Sequence, residues 1–228
     1  MSITFTWLGH SAFLFDIDGH SVLVDPFLSG NRLAPVSPEA IDPEVILLSH
    51  GHSDHVGDTI AIAQRTGVPV VANFEICNWL QDNGVENVIS VNPGGTIDLG
   101  FMQVKWTIAH HSSSMPDGSY GGQPNGILMR VGDVDMYFAG DTTVFLDMQV
   151  IGEVGLDVAF LPIGDKFTMG LEDSLKAIEL LRPRHVVPMH YNTFDSLVQD
   201  VATWAKSVNS KTLSTPIVLD PGGSHTLV

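Results

Sequence analysis

The densest chemistry in the chain lies in seven residues, Ser49-His50-Gly51-His52-Ser53-Asp54-His55. Three imidazoles and one carboxylate fall between His50 and His55. Neutral imidazole and carboxylate are the donors that zinc and similar divalent ions take. A sharp loop can aim alternate side chains, His50 and His52, at one ion. It can then turn Asp54 and His55 toward a second ion beside it. Gly51 supplies backbone freedom between the first two histidines. A polar loop with chance histidines is the plainer alternative. The donor density and the apolar run directly before the loop argue against it.

That run, Val45-Ile46-Leu47-Leu48, is wholly apolar, as expected of a strand covered on both faces. Upstream, residues 3–7 are β-rich, and residues 12–17 and 20–25 flank the hairpin signal Asp18-Gly19. Residues 26–43 read as a loop rich in Pro, Ser and Asn. Helices are predicted over 57–66 and 74–82, with a strand at 68–72 between them. The second half offers strands at 102–108, 127–131, 134–139 and 157–161. Helices follow at 171–182 and 195–208, the latter with Ser196 and Gln199 as a capping box.

An internal echo joins the two parts. Pro43 stands seven residues before His50 and Pro183 seven before His190, each pair spanning a short apolar strand. Each part also has a hairpin running into an aspartate, Asp25 or Asp141. These features predict one domain over 1–228, built from similar β-rich halves of about 1–115 and 116–228. The strands are expected to end at a shared edge, where α/β layers usually build sites.

His-x-His-x-Asp-His after a buried strand resembles the signature of the metallo-β-lactamase superfamily. Four further blocks follow that family's order: the hairpin ending in Asp25, Ala109-His110-His111-Ser112, Phe138-Ala139-Gly140-Asp141-Thr142 and Pro188-Met189-His190-Tyr191. The resemblance covers nearly the whole chain and implies an α/β fold, the four-layer αββα sandwich. Trp7-Leu8-Gly9-His10-Ser11, the serine run to Ser114 and Pro162-Ile163-Gly164-Asp165-Lys166-Phe167-Thr168-Met169 resemble small metal-dependent hydrolases related to the ascorbate-phosphate lactonase group.

The resemblance implies two divalent ions, zinc by first expectation, with manganese, nickel and iron open. His50, His52 and His111 would hold one ion, Asp54, His55 and His190 the other, and Asp141 would bridge them. His110 and His111 compete for one ligand position, and the resemblance favours His111, the residue directly before the serine run. A metal-bound hydroxide would attack a small-molecule ester, lactone or phosphodiester. Asp54 would also orient it, and His10 would bind substrate or donate a proton. Asp25 is expected to orient a ligand histidine, and Thr142 to act similarly beside Asp141. Tyr191 is a candidate rim residue, and Lys166 a solvated lysine on a candidate site loop. His20, His185 and His225 match no ligand position. The glycine-rich run 119–126 precedes a strand and reads as a flexible loop near the site entrance.

Composition narrows the partners. The chain has 228 residues, with 26 acids against 10 bases and a formal net charge of −16. Such a surface repels phosphate backbones and anionic membranes, so neither nucleic acid nor membrane is an expected partner. It also disfavours the RNA-processing branch of the superfamily. The oxygen- and nitric-oxide-reducing branch carries an acidic ligand where His52 stands. The single cysteine, Cys77, excludes an intramolecular disulfide and reads as a buried thiol. The N-terminus has no basic region and no long apolar run, which predicts a cytoplasmic protein and weighs against a secreted β-lactam-degrading enzyme. Oligomeric state is not readable. A metal-binding scaffold or sensor with weak or no catalysis is the alternative to a hydrolase.

Overall fold

Asp18 and Gly19 both take positive φ, 50° and 93°, as a two-residue hairpin turn requires. The turn joins β2 (Phe13–Ile17) to β3 (His20–Val24), in register from Phe13↔Val24 to Ile17↔His20. The structure is a computed structural model and describes residues 2–227. It divides into two compact units. The first takes the chain up to Gly95, with Ser112–Pro124 and the segment from Leu219 onward. The second takes Thr96–His111 and Asn125–Val218.

In the first unit, β1 (Ile3–Trp7) pairs antiparallel with β2, and β3 pairs parallel with β4 (Val45–Leu47). Next come β5 (Val70–Ala72) and β6 (Val88–Ser90), both added in parallel. All residues of β4 and β5 are buried, which explains why their sequences run apolar without alternation. Helices α1 (Ser53–Val56), α2 (Thr59–Thr66) and α3 (Phe74–Asp82) belong to this unit. Ile62 of α2 and Ile76 and Leu80 of α3 join Leu23, Ile46 and Val70 in one core cluster. Asn73 caps α3 by accepting from the Ile76 amide at 2.9 Å.

The second unit repeats this plan. Strands β7 (Thr96–Asp98), β8 (Gln103–Ile108), β9 (Asn125–Val131) and β10 (Val134–Phe138) form an antiparallel run. Strands β11 (Val158–Pro162), β12 (His185–Met189) and β13 (Thr215–Pro216) then extend the sheet in parallel from β10. Helices α4 (Met148–Gly152), α5 (Leu171–Leu181) and α6 (Val201–Lys211) lie in the same unit. In the first unit β14 (Ser224–Leu227) completes the equivalent order by pairing antiparallel with β1. The sheet orders are β14-β1-β2-β3-β4-β5-β6 and β13-β12-β11-β10-β9-β8-β7. By position in the sheet, β3 therefore corresponds to β10, and Asp25 to Asp141. The proline–histidine echo does not follow this correspondence: it matches β4 to β12, whereas β4 occupies the place of β11.

Two helices differ from the sequence expectation. The helix expected over 57–66 forms as α2 but starts at Thr59, because Gly57, at φ 44°, ends the preceding turn α1. The helix expected over 195–208 begins at Val201, after a 3-10 turn at Asp195–Leu197. Its cap is Asp200, whose carboxylate accepts from the Thr203 amide at 3.0 Å and the Thr203 hydroxyl at 2.7 Å. The Ser196–Gln199 capping box does not form. Gln199 instead donates its side-chain amide to the Gly164 carbonyl and its backbone N–H to Asn192 Oδ1. Among the described residues no helix is long and apolar enough to cross a membrane.

Candidate metal centre

Strand β4 ends at Leu47, and the chain then presents Ser49 and His50, both fully buried. Neighbouring β3 ends at Val24, and the next residue, Asp25, turns sharply at φ 44°. The Asp25 carboxylate faces back onto the β4 loop and collects three donors. Oδ1 accepts from the Ser49 amide at 2.8 Å. Oδ2 accepts from the Ser49 hydroxyl at 2.5 Å and lies 2.7 Å from His55 Nδ1.

This arrangement assigns the imidazole protons. An ionised carboxylate only accepts, so His55 Nδ1 carries the proton and its Nε2 carries the lone pair. The Ser49 hydroxyl spends its hydrogen on Asp25, so its oxygen accepts from His50 Nδ1 at 3.0 Å. His50 Nε2 is therefore also the lone-pair nitrogen. It faces His52 Nδ1 at 3.0 Å, while Ser112 Oγ lies 3.4 Å from His52 Nε2. The His50 ring centre is 4.6 Å from that of His52 and 4.1 Å from that of His55. Converging neutral imidazoles, each steered through its other nitrogen, are the donor chemistry of a divalent transition metal.

The remaining parts of the motif follow from backbone form. His52 is extended, and Ser53–Val56 then winds into one helical turn that carries Asp54 and His55. Gly51 does not take a left-handed φ; a Cβ there would lie 2.6 Å from Met115 Sδ and 3.2 Å from the Ser114 carbonyl oxygen, so a side chain would crowd the loop. His10, fully buried at φ 56°, places Nε2 3.1 Å from Asp54 Oδ2 and packs edge-on against Phe27. Positive φ at His10 and Asp25 is backbone strain, of the kind that concentrates at functional sites.

The second unit gathers a group of its own. Asp141 follows β10 and is buried. Its Oδ2 lies 3.0 Å from His190 Nε2 and 3.6 Å from His111 Nε2. His190 follows β12 in the left-handed region, φ 57°. The neighbours His110 and His111 diverge. The His110 ring packs on Phe145 at 4.8 Å, and its amide donates to Thr142 Oγ1 at 3.0 Å. Thr142 thus holds the backbone beside His111 rather than a ligand ring. One carboxylate oxygen facing two imidazole nitrogens suits a cation held among them.

Other expectations fall as follows. Tyr191, directly after His190, is buried at 3% exposure. Lys166 is exposed, on the loop after β11. His20 pairs with Glu44 at 2.9 Å on the surface, His185 lies in β12, and His225 packs against Phe5. Cys77 is buried within α3, and burial pushes its thiol above the usual range. The glycine-rich run is tied at Gly121 and Gln123. Asn73 donates to the Gly121 and Gln123 carbonyls at 2.8 and 3.0 Å, and Ser113 bonds Gly121 through both hydroxyl and backbone. The sequence reading missed Ser49, whose hydroxyl relays Asp25 to His50. A serine directly before the first motif histidine was the available signal.

Known proteins resemble this chain over most of its length. A family profile described as the β-lactamase superfamily domain matches residues 4–190. A UPF0173 metal-dependent hydrolase of Thermus thermophilus is 47% identical over 205 residues, covering 90% of this chain and 91% of its own. One from Methanosarcina mazei is 44% identical over 223 residues, covering 96% of each. Among solved structures, Igni18, a metallo hydrolase from the archaeon Ignicoccus hospitalis, superposes with a TM-score of 0.92 at 35% identity, covering 100% of this chain and 99% of its own. The two mixed sheets with flanking helices match the metallo-β-lactamase α/β sandwich fold.

Proposed function

The chain belongs to the β-lactamase superfamily, within its UPF0173 metal-dependent hydrolases, and on that premise we propose that it is a dinuclear hydrolase of a small-molecule ester, lactone or phosphodiester. His50, His52 and His111 serve one ion. Asp54, His55 and His190 serve the other, and Asp141 is common to both. Zinc is the first choice for a set of imidazoles and carboxylates, with manganese, nickel and iron open to the same donors. When bound, such a pair of ions acidifies water and polarises the acyl or phosphoryl oxygen.

The chain's own residues supply the rest. Asp25 and Ser49 fix the proton on Nδ1 of His55 and His50, so each offers Nε2 without rearrangement. This relay is the observation that most supports a metal centre, because buried histidines with no ion to hold have no reason to offer Nε2 in common; turnover is what separates a hydrolase from a metal-binding scaffold. Asp54 accepts a hydrogen bond from the attacking water and orients it. His10, 3.1 Å from Asp54, holds that carboxylate in place and would relay to the leaving group the proton that the water gives up to Asp54. The net charge of −16 supports a small-molecule substrate over nucleic acid or a membrane surface.

The test is turnover of a panel of generic esters, lactones and phosphodiesters after loading with zinc, manganese or nickel. Metal-dependent hydrolysis that chelation abolishes is the expected result. No turnover across the panel by a metal-loaded chain would favour the metal-binding scaffold instead.

A further inference from the structure

Strand β11 occupies the place in its sheet that β4 occupies in the other, and β4 delivers the histidine motif. The loop after β11, Gly164-Asp165-Lys166-Phe167-Thr168-Met169, is therefore the topological counterpart of that motif, yet it carries no histidine. Its ends are fixed to the ligand-bearing segments of its own unit. A Cβ on Gly164 would lie 2.2 Å from the His190 carbonyl oxygen, so the chain passes directly against that residue. The Met169 amide donates to the Thr142 carbonyl at 3.1 Å, next to Asp141. Between these anchors Asp165 and Lys166 both take left-handed φ, 61° and 46°, although neither is glycine. Consecutive left-handed residues with side chains are costly, and the anchors hold them there.

The strained pair lifts two side chains into solvent. Phe167 is 56% exposed. Lys166 Nζ lies 5.1 Å from the centre of the Phe167 ring and in no ion pair with a described residue. Together they present a positive charge beside an exposed aromatic face, in a chain with 26 acids and only 10 bases. We propose that Lys166 and Phe167 form the substrate-recognition element of this site, Lys166 pairing with a carboxylate or phosphate on the substrate and Phe167 covering the apolar group that carries it. That the ligand is a substrate rests on the hydrolase reading. The recognition itself needs only an anion joined to an apolar group.

The test measures binding by calorimetry in metal-loaded protein, with 4-phenylbutanoate and its neutral amide as probes. Lys166→Gln is expected to weaken the carboxylate about fivefold, the scale of one ion pair, and to leave the amide unchanged. Lys166→Arg should restore the carboxylate. Phe167→Ala should weaken both probes. Lys211→Gln, the same charge change on α6, should affect neither. Carboxylate affinity in Lys166→Gln within about twofold of wild type, or equal loss for both probes, would overturn the proposal. Hydrolysis is scored separately on the ester and lactone panel. The expected binding pattern without turnover leaves the recognition element standing and removes the hydrolase reading, whereas turnover without the pattern does the reverse.

Discussion

Asp25 Oδ2 lies 2.7 Å from His55 Nδ1, with both side chains fully buried. The same carboxylate takes the Ser49 amide and hydroxyl, so one acidic residue sets the orientation of two histidines. Asp25→Asn keeps the size and tolerates the left-handed backbone. It replaces one accepting oxygen with a donating NH₂, leaving three donors for a single acceptor. Metal affinity is expected to fall about 10- to 100-fold, as when a partner of a ligand imidazole is lost. Competition with a zinc chelator measures this, and an unchanged affinity would remove Asp25 from the role.

Gly164 tests the close passage beside His190. Adding a methyl group places it 2.2 Å from the His190 carbonyl oxygen, and backbone must move on one side or the other. Gly164→Ala is expected to cost about 1–3 kcal/mol of stability, the usual range for overpacking. Thermal unfolding reads the cost. A variant as stable as wild type would mean that the loop yields freely.

Asn73 joins a helix cap to the glycine-rich loop. Its Oδ1 caps α3, and its Nδ2 holds the Gly121 and Gln123 carbonyls. Asn73→Ala removes all three bonds and is expected to cost about 1–2 kcal/mol for the cap, with a further loss from the freed carbonyls. Amide exchange should rise at Ile76 and across residues 119–124 together. A rise at α3 alone would show that the loop is held by its other bonds.

Asp200 gives a pH dependence with a definite sign. The hydroxyl and amide of Thr203 hold its carboxyl below the usual range. A group lowered in the folded state adds stability above its unfolded value, near about 4, and loses it as pH falls through the lower folded value. Acidification from about pH 6 to about pH 3 should therefore weaken the first turn of α6 in the wild type. Asp200→Asn, which still caps but does not titrate, should lack that step. Amide exchange at Thr203 and Trp204 over the same range distinguishes the two, and equal behaviour would refute the cap's charge.

Much of this was legible in the sequence. The buried strand before His50 and the hairpin at Asp18-Gly19 declare themselves by apolar runs and turn residues. Asp25 and Asp141 fall at equivalent strand ends, as the two hairpins implied. The short edge strands β6, β7, β13 and β14 escaped, because two to four residues with mixed exposure carry no periodic signal. The start of α6 was misplaced because two candidate caps lie four residues apart. A carboxylate that accepts twice from Thr203 prevailed over a serine whose partner, Gln199, is drawn to Gly164. The match of β4 to β12 failed for a different reason. Short apolar strands followed by histidine look alike in sequence, and only the hydrogen-bonded order separates them.

The most direct test is the metal-to-protein ratio, by elemental analysis, after zinc loading and desalting. Three imidazoles and a carboxylate in the motif, with Asp141, His111 and His190, are enough donors for a pair of ions, and the expected ratio is about two per chain. A ratio of one or none, in protein that remains folded, would contradict the dinuclear centre.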